Sequence, residues 1–101
     1  MKKKNKPCSG SKPSMFSDYL KKIVVIDTFG PLIYLGILQR IEDTWIQLGM
    51  TDVHDTSDSS TTKENYIRKS AQTGIKNNRK SCRIDQKHIV SISLLSEIET
   101  F

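Results

Sequence analysis

The residues best suited to chemistry in this sequence are cations that cluster in its second half. Seven basic residues fall between positions 68 and 87, and a single acidic residue, Asp85, accompanies them. Clustered lysines and arginines are the side chains that neutralise phosphates in nucleic-acid complexes. A solvated helix carries the same kind of charge, so both interpretations stay open. The seven residues are Arg68, Lys69, Lys76, Arg79, Lys80, Arg83 and Lys87.

Enzymatic chemistry has little support in the sequence. His54 and Asp55 are the only neighbouring histidine and aspartate, and no nucleophile accompanies them. Glu42 and Asp43 form an acidic pair that is typical of a turn. No glycine-rich phosphate-binding loop is present. We therefore expect a protein that is not an enzyme and that uses no cofactor.

Charge is unevenly distributed along the chain. The net charge is +5, and residues 1–13 hold five lysines and no acidic residue. The remaining residues, 14–101, hold 11 basic and 11 acidic side chains and are neutral overall. The first stretch offers no apolar surface to offset its ordering entropy. We predict a disordered basic tail over 1–13, suited to an anionic partner or to solubility, followed by one domain over 14–101.

The two cysteines and the apolar runs bear on location. Cys8 and Cys82 form neither a disulfide framework nor a metal-ligand spacing, which favours a reducing compartment and predicts no metal site. The basic start lacks the apolar segment of a signal peptide. No apolar run approaches the roughly 20 residues that span a bilayer. We therefore expect a cytoplasmic protein that does not enter a membrane.

Three short apolar runs predict the front of an antiparallel sheet. They cover about 22–27, 31–41 and 44–53, and turn-forming residues separate the first two runs. Gly36 inside the second run predicts a bend, a bulge or a close backbone approach. The middle of that run is apolar on both faces. We therefore expect both faces of the second strand to be covered.

The ends of the domain complete this sheet. A short helix over 15–21 is predicted before the first strand, with Ser14 as its cap, and the alternative is a strand extension into Ile23. Two further runs, 80–86 and 89–95, alternate at the strand period and bring the number of predicted strands to five.

Residues 54–78 form a polar excursion between the third and fourth strands. Thr61 and Glu64 have capping-box spacing, which predicts a helix over 62–72 that ends at Gly74. This helix has few apolar positions. We therefore expect it to protrude rather than to join the core.

Two blocks of the sequence resemble the motifs of the Sm-like (LSm) family. The stretch 25–48 is similar to the first Sm motif, because its Gly-Ile-Leu strand at 36–38 is followed by Glu42, six positions after the glycine. The stretch 82–94 resembles the second motif. Its Lys-His-Ile junction at 87–89 is similar to the Lys-His-Ala junction of the Hfq-type bacterial RNA chaperones.

This resemblance implies a mainly β protein. The expected fold is a small, strongly bent five-stranded antiparallel barrel of Sm-like or SH3-like shape, with a short N-terminal helix and a helical excursion between strands three and four. The family also implies that edge strands pair between subunits into a homo-oligomeric ring. The expected partner of such a ring is single-stranded RNA.

The resemblance also implies which residues bind RNA. Lys87 and His88 match the junction that contacts bases and phosphates, whereas Asp43 and Thr44 stand where Hfq-type proteins have a glutamine and a stacking aromatic residue. Thr44 cannot stack a base, and Asp43 repels phosphate. Trp45 is expected in the core, on the face opposite Thr44. The basic residues predicted to assist are Arg83, Lys80, Arg79 and Lys76.

The mismatch at Asp43 and Thr44 leaves a second hypothesis open. The chain is then an oligomeric protein-interaction or assembly module that is built on an Sm-like barrel and does not bind RNA.

Overall fold

A computed structural model describes residues 14–58 and 61–100, so the predicted tail over 1–13 lies outside the described residues. The described chain is mainly β, as predicted, and contains one α-helix, α1. Among the described residues no helix has the length and apolarity that crossing a bilayer requires. The elements are β1 (Ile23–Thr28), β2 (Leu32–Ile41), β3 (Trp45–Asp55), α1 (Lys63–Thr73), β4 (Arg79–Asp85) and β5 (Ile89–Leu94).

The five strands form one antiparallel sheet in the order β4-β3-β2-β1-β5. The predicted strand count and the helix between the third and fourth strands are confirmed. The predicted closed barrel is wrong, because β4 and β5 lie at opposite edges and each pairs on one side only. A 3-10 turn, Gln86–His88, carries the chain from the end of β4 across to β1. β5 therefore pairs with β1 rather than with β4.

The predicted N-terminal helix over 15–21 is also wrong. A single 3-10 turn, Ser17–Tyr19, stands in its place. Lys21 adopts a left-handed backbone with φ of 70°, which ends any helix there. Its N–H then donates to the carbonyl of Leu38 at 2.7 Å, so the chain joins the sheet before a second turn forms.

One face of the sheet buries the larger apolar cluster, which we call the inner core. Ile84 of β4 lies in this cluster, and Ile92 of β5 packs against it, although the two strands share no hydrogen bonds. Phe16, just before the 3-10 turn, is 3% exposed and covers the cluster from the N-terminal side. The buried members are Phe16, Val24, Ile26, Leu38, Ile46, Leu48 and Ile84.

The opposite face buries a smaller cluster, the outer core, under α1. Leu35 of β2 is fully buried there, and Ile67 of α1 is 8% exposed. The prediction that both faces of the second strand are covered is confirmed, but the prediction that the helix protrudes is wrong. Two adjacent side chains, Tyr66 and Ile67, suffice to dock α1, because polar anchors assist them. The buried members are Val25, Ile33, Leu35 and Ile67.

Those anchors stand at the start of α1. The ammonium of Lys63 donates to the carboxylate of Asp27 at 2.6 Å and to the carbonyls of Thr28 and Gly30 at 2.9 and 2.7 Å. Thr62, rather than the predicted Thr61, caps the helix by accepting from the backbone of the third helical residue. These bonds tie the excursion to the turn between β1 and β2.

Gly36 marks a close backbone approach, as predicted. The pairing of β2 with β3 shifts register between Leu35 and Ile37. A Cβ at position 36 would lie 2.8 Å from the carbonyl oxygen of Gly49, closer than real Cβ contacts occur. The absence of a side chain therefore allows the backbone of β3 to approach β2 closely at this point.

Candidate nucleic-acid interface

Two turns lie side by side at one end of the sheet. The N–H of Gln86 donates to the carbonyl of Thr44 at 2.9 Å, and its side-chain amide donates to the carbonyls of Glu42 and Trp45 at 2.6 and 3.3 Å. These bonds hold the turn after β4 against the turn between β2 and β3. The role of Gln86 in joining the two turns was not predicted, because a glutamine in a turn belongs to no pattern that indicates such contacts.

Lys87 and His88 extend from this fixed turn. The carboxylate of Asp85 accepts from the N–H of Lys87 at 3.0 Å, and the carbonyl of His88 accepts from the N–H of Phe29 at 3.1 Å. Both side chains are exposed. Neither of them forms a salt bridge or a side-chain hydrogen bond with another described residue. The backbone of the pair is therefore ordered while its cationic groups face solvent.

The structure brings His88 and Arg83 to one pocket and separates the other predicted cations. The pocket measures about 360 Å³ and opens between β4 and the turn that links β1 to β2. Lys76 lies just before β4, a strand that is roughly 20 Å long. It lines a pocket under α1 instead. Lys80 is exposed on β4 itself.

Arg79 is exposed at the start of β4, and its charge acts on Cys82 and Tyr34. Burial raises the pKa of the Cys82 thiol, and the nearby charge of Arg79 opposes that shift. Tyr34 shows the same combination, with its pKa raised chiefly by burial and lowered in part by Arg79. Both partners pack against the inner core.

Trp45 is not in the core, so that prediction is wrong. Ile46 and Leu48 occupy the inner core, and the alternation of β3 turns Trp45 to the outer face. Its ring is half-buried there, with the guanidinium carbons of Arg83 and Arg40 at 4.5 and 5.4 Å from the ring centroid. The outer position of Trp45 is indicated by period-two alternation alone, whereas the apolar character of tryptophan favours the core.

Trp45 borders a row of polar side chains on the same face. Arg40, Gln47 and Arg83 are direct cross-strand partners. Arg83 Nε donates to Gln47 Oε1 at 3.4 Å, and Gln47 Nε2 donates to Gln39 Oε1 at 3.3 Å. We call these five residues the indole patch: Gln39, Arg40, Trp45, Gln47 and Arg83.

The charges of the indole patch differ in how they are balanced. Arg40 forms a salt bridge with Glu42 at 2.6 Å. Asp85, which is paired with Trp45 across the strands, is committed to the N–H of Lys87. Arg83 has no acidic partner among residues 14–58 and 61–100. Arg83 therefore supplies the uncompensated positive charge of this surface.

The predicted His54–Asp55 neighbours do not form a dyad. The ring of His54 stacks on Tyr66 with centroids 3.7 Å apart, whereas the carboxylate of Asp55 accepts from the N–H and hydroxyl of Ser57 at 2.9 and 2.6 Å. Those hydrogen bonds lower the pKa of Asp55. In the described part of the chain no three histidine, cysteine or acidic side chains are grouped to hold a metal ion.

Tyr66 also joins the excursion to β3. Its hydroxyl donates to the carboxylate of Asp52, which is 3% exposed, and Asn78 donates to the same carboxylate at 3.3 Å. Burial, followed by the bond and charge of Asp52, raises the pKa of Tyr66 far above its ordinary value. These contacts are structural, because they hold α1 and the last residue of the excursion, Asn78, against β3.

Comparison of the sequence with models of known protein families gives no match, and comparison with curated proteins gives no significant relative. The Sm-like assignment therefore stands as a proposal that depends on the residues and the geometry described above.

Proposed function

We propose that this protein is an Sm-like RNA-binding protein whose Lys87–His88 turn contacts single-stranded RNA. The observation that carries the proposal is the position of this turn. Its side chains are exposed and form no hydrogen bond or salt bridge within the described structure, and its backbone is fixed against the turn that contains Asp43 and Thr44. The resemblance assigns both turns to the RNA site. An ordered backbone lowers the entropy that binding must overcome.

Arg83 and Lys80 extend this surface along β4. Arg83 shares a pocket with His88, and Lys80 is exposed farther along the same strand. Phosphate contacts from such residues supply affinity that is independent of sequence and sensitive to salt. Arg79 and Lys76 stay in the proposed set as more distant phosphate contacts, because both are exposed cations that flank the start of β4.

The two sheet edges support self-association into a ring. β4 and β5 each have one unpaired side, and β5 carries no charged residue along Ile89–Leu94. An uncharged edge strand is open to pairing with another chain, and joining unlike edges in a closed ring satisfies both. The inner core receives side chains from both edge strands, so the open sheet curves around it.

Binding to short oligo(U) and oligo(A) RNA at low salt tests the proposal, with fluorescence anisotropy as the readout. We expect the double variant Lys87→Ala/His88→Ala to bind roughly tenfold more weakly, and Lys87→Ala alone to lower the salt slope by roughly 0.7. Lys22→Ala is the matched control, because it removes an exposed lysine outside the proposed surface. Absence of low-salt binding by the unaltered protein would overturn the proposal.

The second candidate is an assembly module that does not bind RNA. It is favoured by Asp43 and Thr44, which are both exposed in the turn beside the Lys87–His88 turn. A carboxylate there repels phosphate, and a threonine offers no stacking surface. Light scattering behind gel filtration, with absorbance read at two wavelengths, separates the candidates. A ring with clean protein absorbance and no RNA affinity favours assembly.

A further inference from the structure

The outer face of the sheet has an open half, and the indole patch lies on it. α1 covers Val25, Ile33 and Leu35 on that face. Beyond Gly36 the same face carries Arg40, Gln47 and Arg83. The patch is therefore a sheet surface of polar side chains and one aromatic ring that no described element covers.

Small residues lie beside the patch. Gln39 lies directly over Gly49, since a Cβ at that glycine would sit 2.1 Å from the amide nitrogen of Gln39. Ser81 is the cross-strand partner of Gly49 and is the other small residue of this row. An indole, two guanidinium groups and two amides thus share one surface. Each is a planar group, and four of the five also form hydrogen bonds.

We propose that the indole patch is a stacking site for a base of single-stranded nucleic acid. Trp45 is the ring on which the base stacks, and Arg83 is the cation that contacts the adjoining phosphate. The class of partner rests on the proposed function, and the site adjoins the Lys87–His88 turn, because Arg83 belongs to both surfaces. A nucleobase fits better than an apolar peptide side chain, because Trp45 is the single apolar group in the patch.

Arg83 can exchange the ring for a phosphate. Its guanidinium lies over the indole at 4.5 Å and is otherwise held by one hydrogen bond of 3.4 Å, to Gln47. Stacking of a base on an aromatic ring is the stronger contact of the two at an exposed site. Arg40 stays behind, because its salt bridge to Glu42 is short. Moving Arg83 away from the ring therefore costs little free energy.

The test uses Trp45 itself, which is the only tryptophan in the chain. Oligo(U) and oligo(A) RNA are titrated into the full-length protein while indole fluorescence and the anisotropy of labelled RNA are followed together. We expect indole emission to change with the same midpoint as binding. A strand of abasic sugar-phosphate should change the emission less, since its phosphates can draw Arg83 from the ring but it places no base there.

Matched variants separate stacking from charge. Trp45→Leu should weaken binding about tenfold, and Trp45→Phe should restore most of that loss. Arg83→Gln should weaken binding more than Arg68→Gln, which removes the same charge from a residue of α1 that is paired with Glu64 at 3.8 Å. The comparison of Trp45→Leu with Trp45→Phe separates the two proposals, because the loss of Arg83 weakens binding under either of them.

The outcomes distinguish this inference from the proposed function. RNA binding with unchanged indole emission, together with equal affinities for Trp45→Leu and Trp45→Phe, overturns the stacking site and leaves the Lys87–His88 turn as the binder. Indole changes that persist in Lys87→Ala/His88→Ala support the patch as a separate site. Absence of any binding overturns both.

Discussion

The two halves of the outer face differ although β2 runs through both. Before Gly36, β2 presents Ile33 and Leu35, which are fully buried under α1. After Gly36 it presents Ile37, which is half-buried, and then Gln39 and Arg40, which are exposed. The register shift at Gly36 lies between the buried and the exposed part of β2. One half of the face stabilises the fold by burial, and the other half is free to bind a partner.

Polarity alone does not explain this division, because the covered half also contains polar groups. Asp52 is buried there, and Asp27 lies beside it on the same face. α1 supplies a partner to each, through Tyr66 and Lys63 respectively. Buried polar groups need such partners. No element among residues 14–58 and 61–100 covers the open half, where the polar groups bond to one another.

The largest contrast between the halves concerns core truncation. Leu35→Ala should lower the free energy of unfolding by about 2–5 kcal/mol, because it leaves a cavity under α1. Gln47→Ala, on the open half of the same face, should change it by less than about 0.5 kcal/mol. Urea denaturation followed by circular dichroism measures both. Equal losses would show that the open half is also part of the core.

The boundary between the halves is the next test. Gly36→Ala should cost about 1–3 kcal/mol, because the new methyl group meets the Gly49 carbonyl at 2.8 Å and backbone must move. Gly30→Ala is the matched control, since a Cβ there has no heavy atom within 4 Å and no left-handed φ. We expect Gly30→Ala to leave thermal stability unchanged or slightly higher. Tolerance of alanine at Gly36 would contradict the close approach of β3.

A smaller effect concerns the polar anchor of the covered half. Tyr66→Phe leaves Asp52 buried with one donor fewer and should cost about 1–2 kcal/mol in urea denaturation. The raised pKa of Tyr66 means that its contribution is fully present below about pH 10 and is lost as pH rises above that value. The variant should therefore lose less stability than the wild type in strong alkali. A parallel decline of the two proteins would contradict this coupling.

The smallest expected effect belongs to the open half itself. Arg83→Gln should change the free energy of unfolding by less than about 0.5 kcal/mol, because an exposed cation over a ring contributes little to folding. Its cost should appear in RNA affinity instead. A large loss of stability in thermal denaturation would assign Arg83 a structural role.

The strands were predictable because each carries a local signal. The predicted runs 31–41 and 44–53 match Leu32–Ile41 and Trp45–Asp55 closely. Gly36 was predictable for the same reason, since a glycine within an apolar strand usually marks a bend, a bulge or a close backbone approach. Gly74 ends α1 as predicted, with φ of 92° and its N–H on Ser70.

The remaining features depend on contacts between distant residues. α1 docks through one buried isoleucine and through Lys63, whose acceptors lie more than 30 positions away in sequence. The register shift of β2 against β3 between Leu35 and Ile37 lies beside Met50, which has a left-handed φ of 49°. The open edge between β4 and β5 depends on a turn held by Gln86. No local pattern encodes these contacts.

The most direct test of the division of the outer face is a titration of isotope-labelled protein with oligo(U) and oligo(A) RNA, followed by two-dimensional NMR. We predict shift changes at Lys87, His88, Arg83 and the indole N–H of Trp45, and constant signals for the buried positions Leu35 and Ile67. Changes confined to the helix-covered half, or no changes at low salt, would contradict an open half that binds single-stranded RNA.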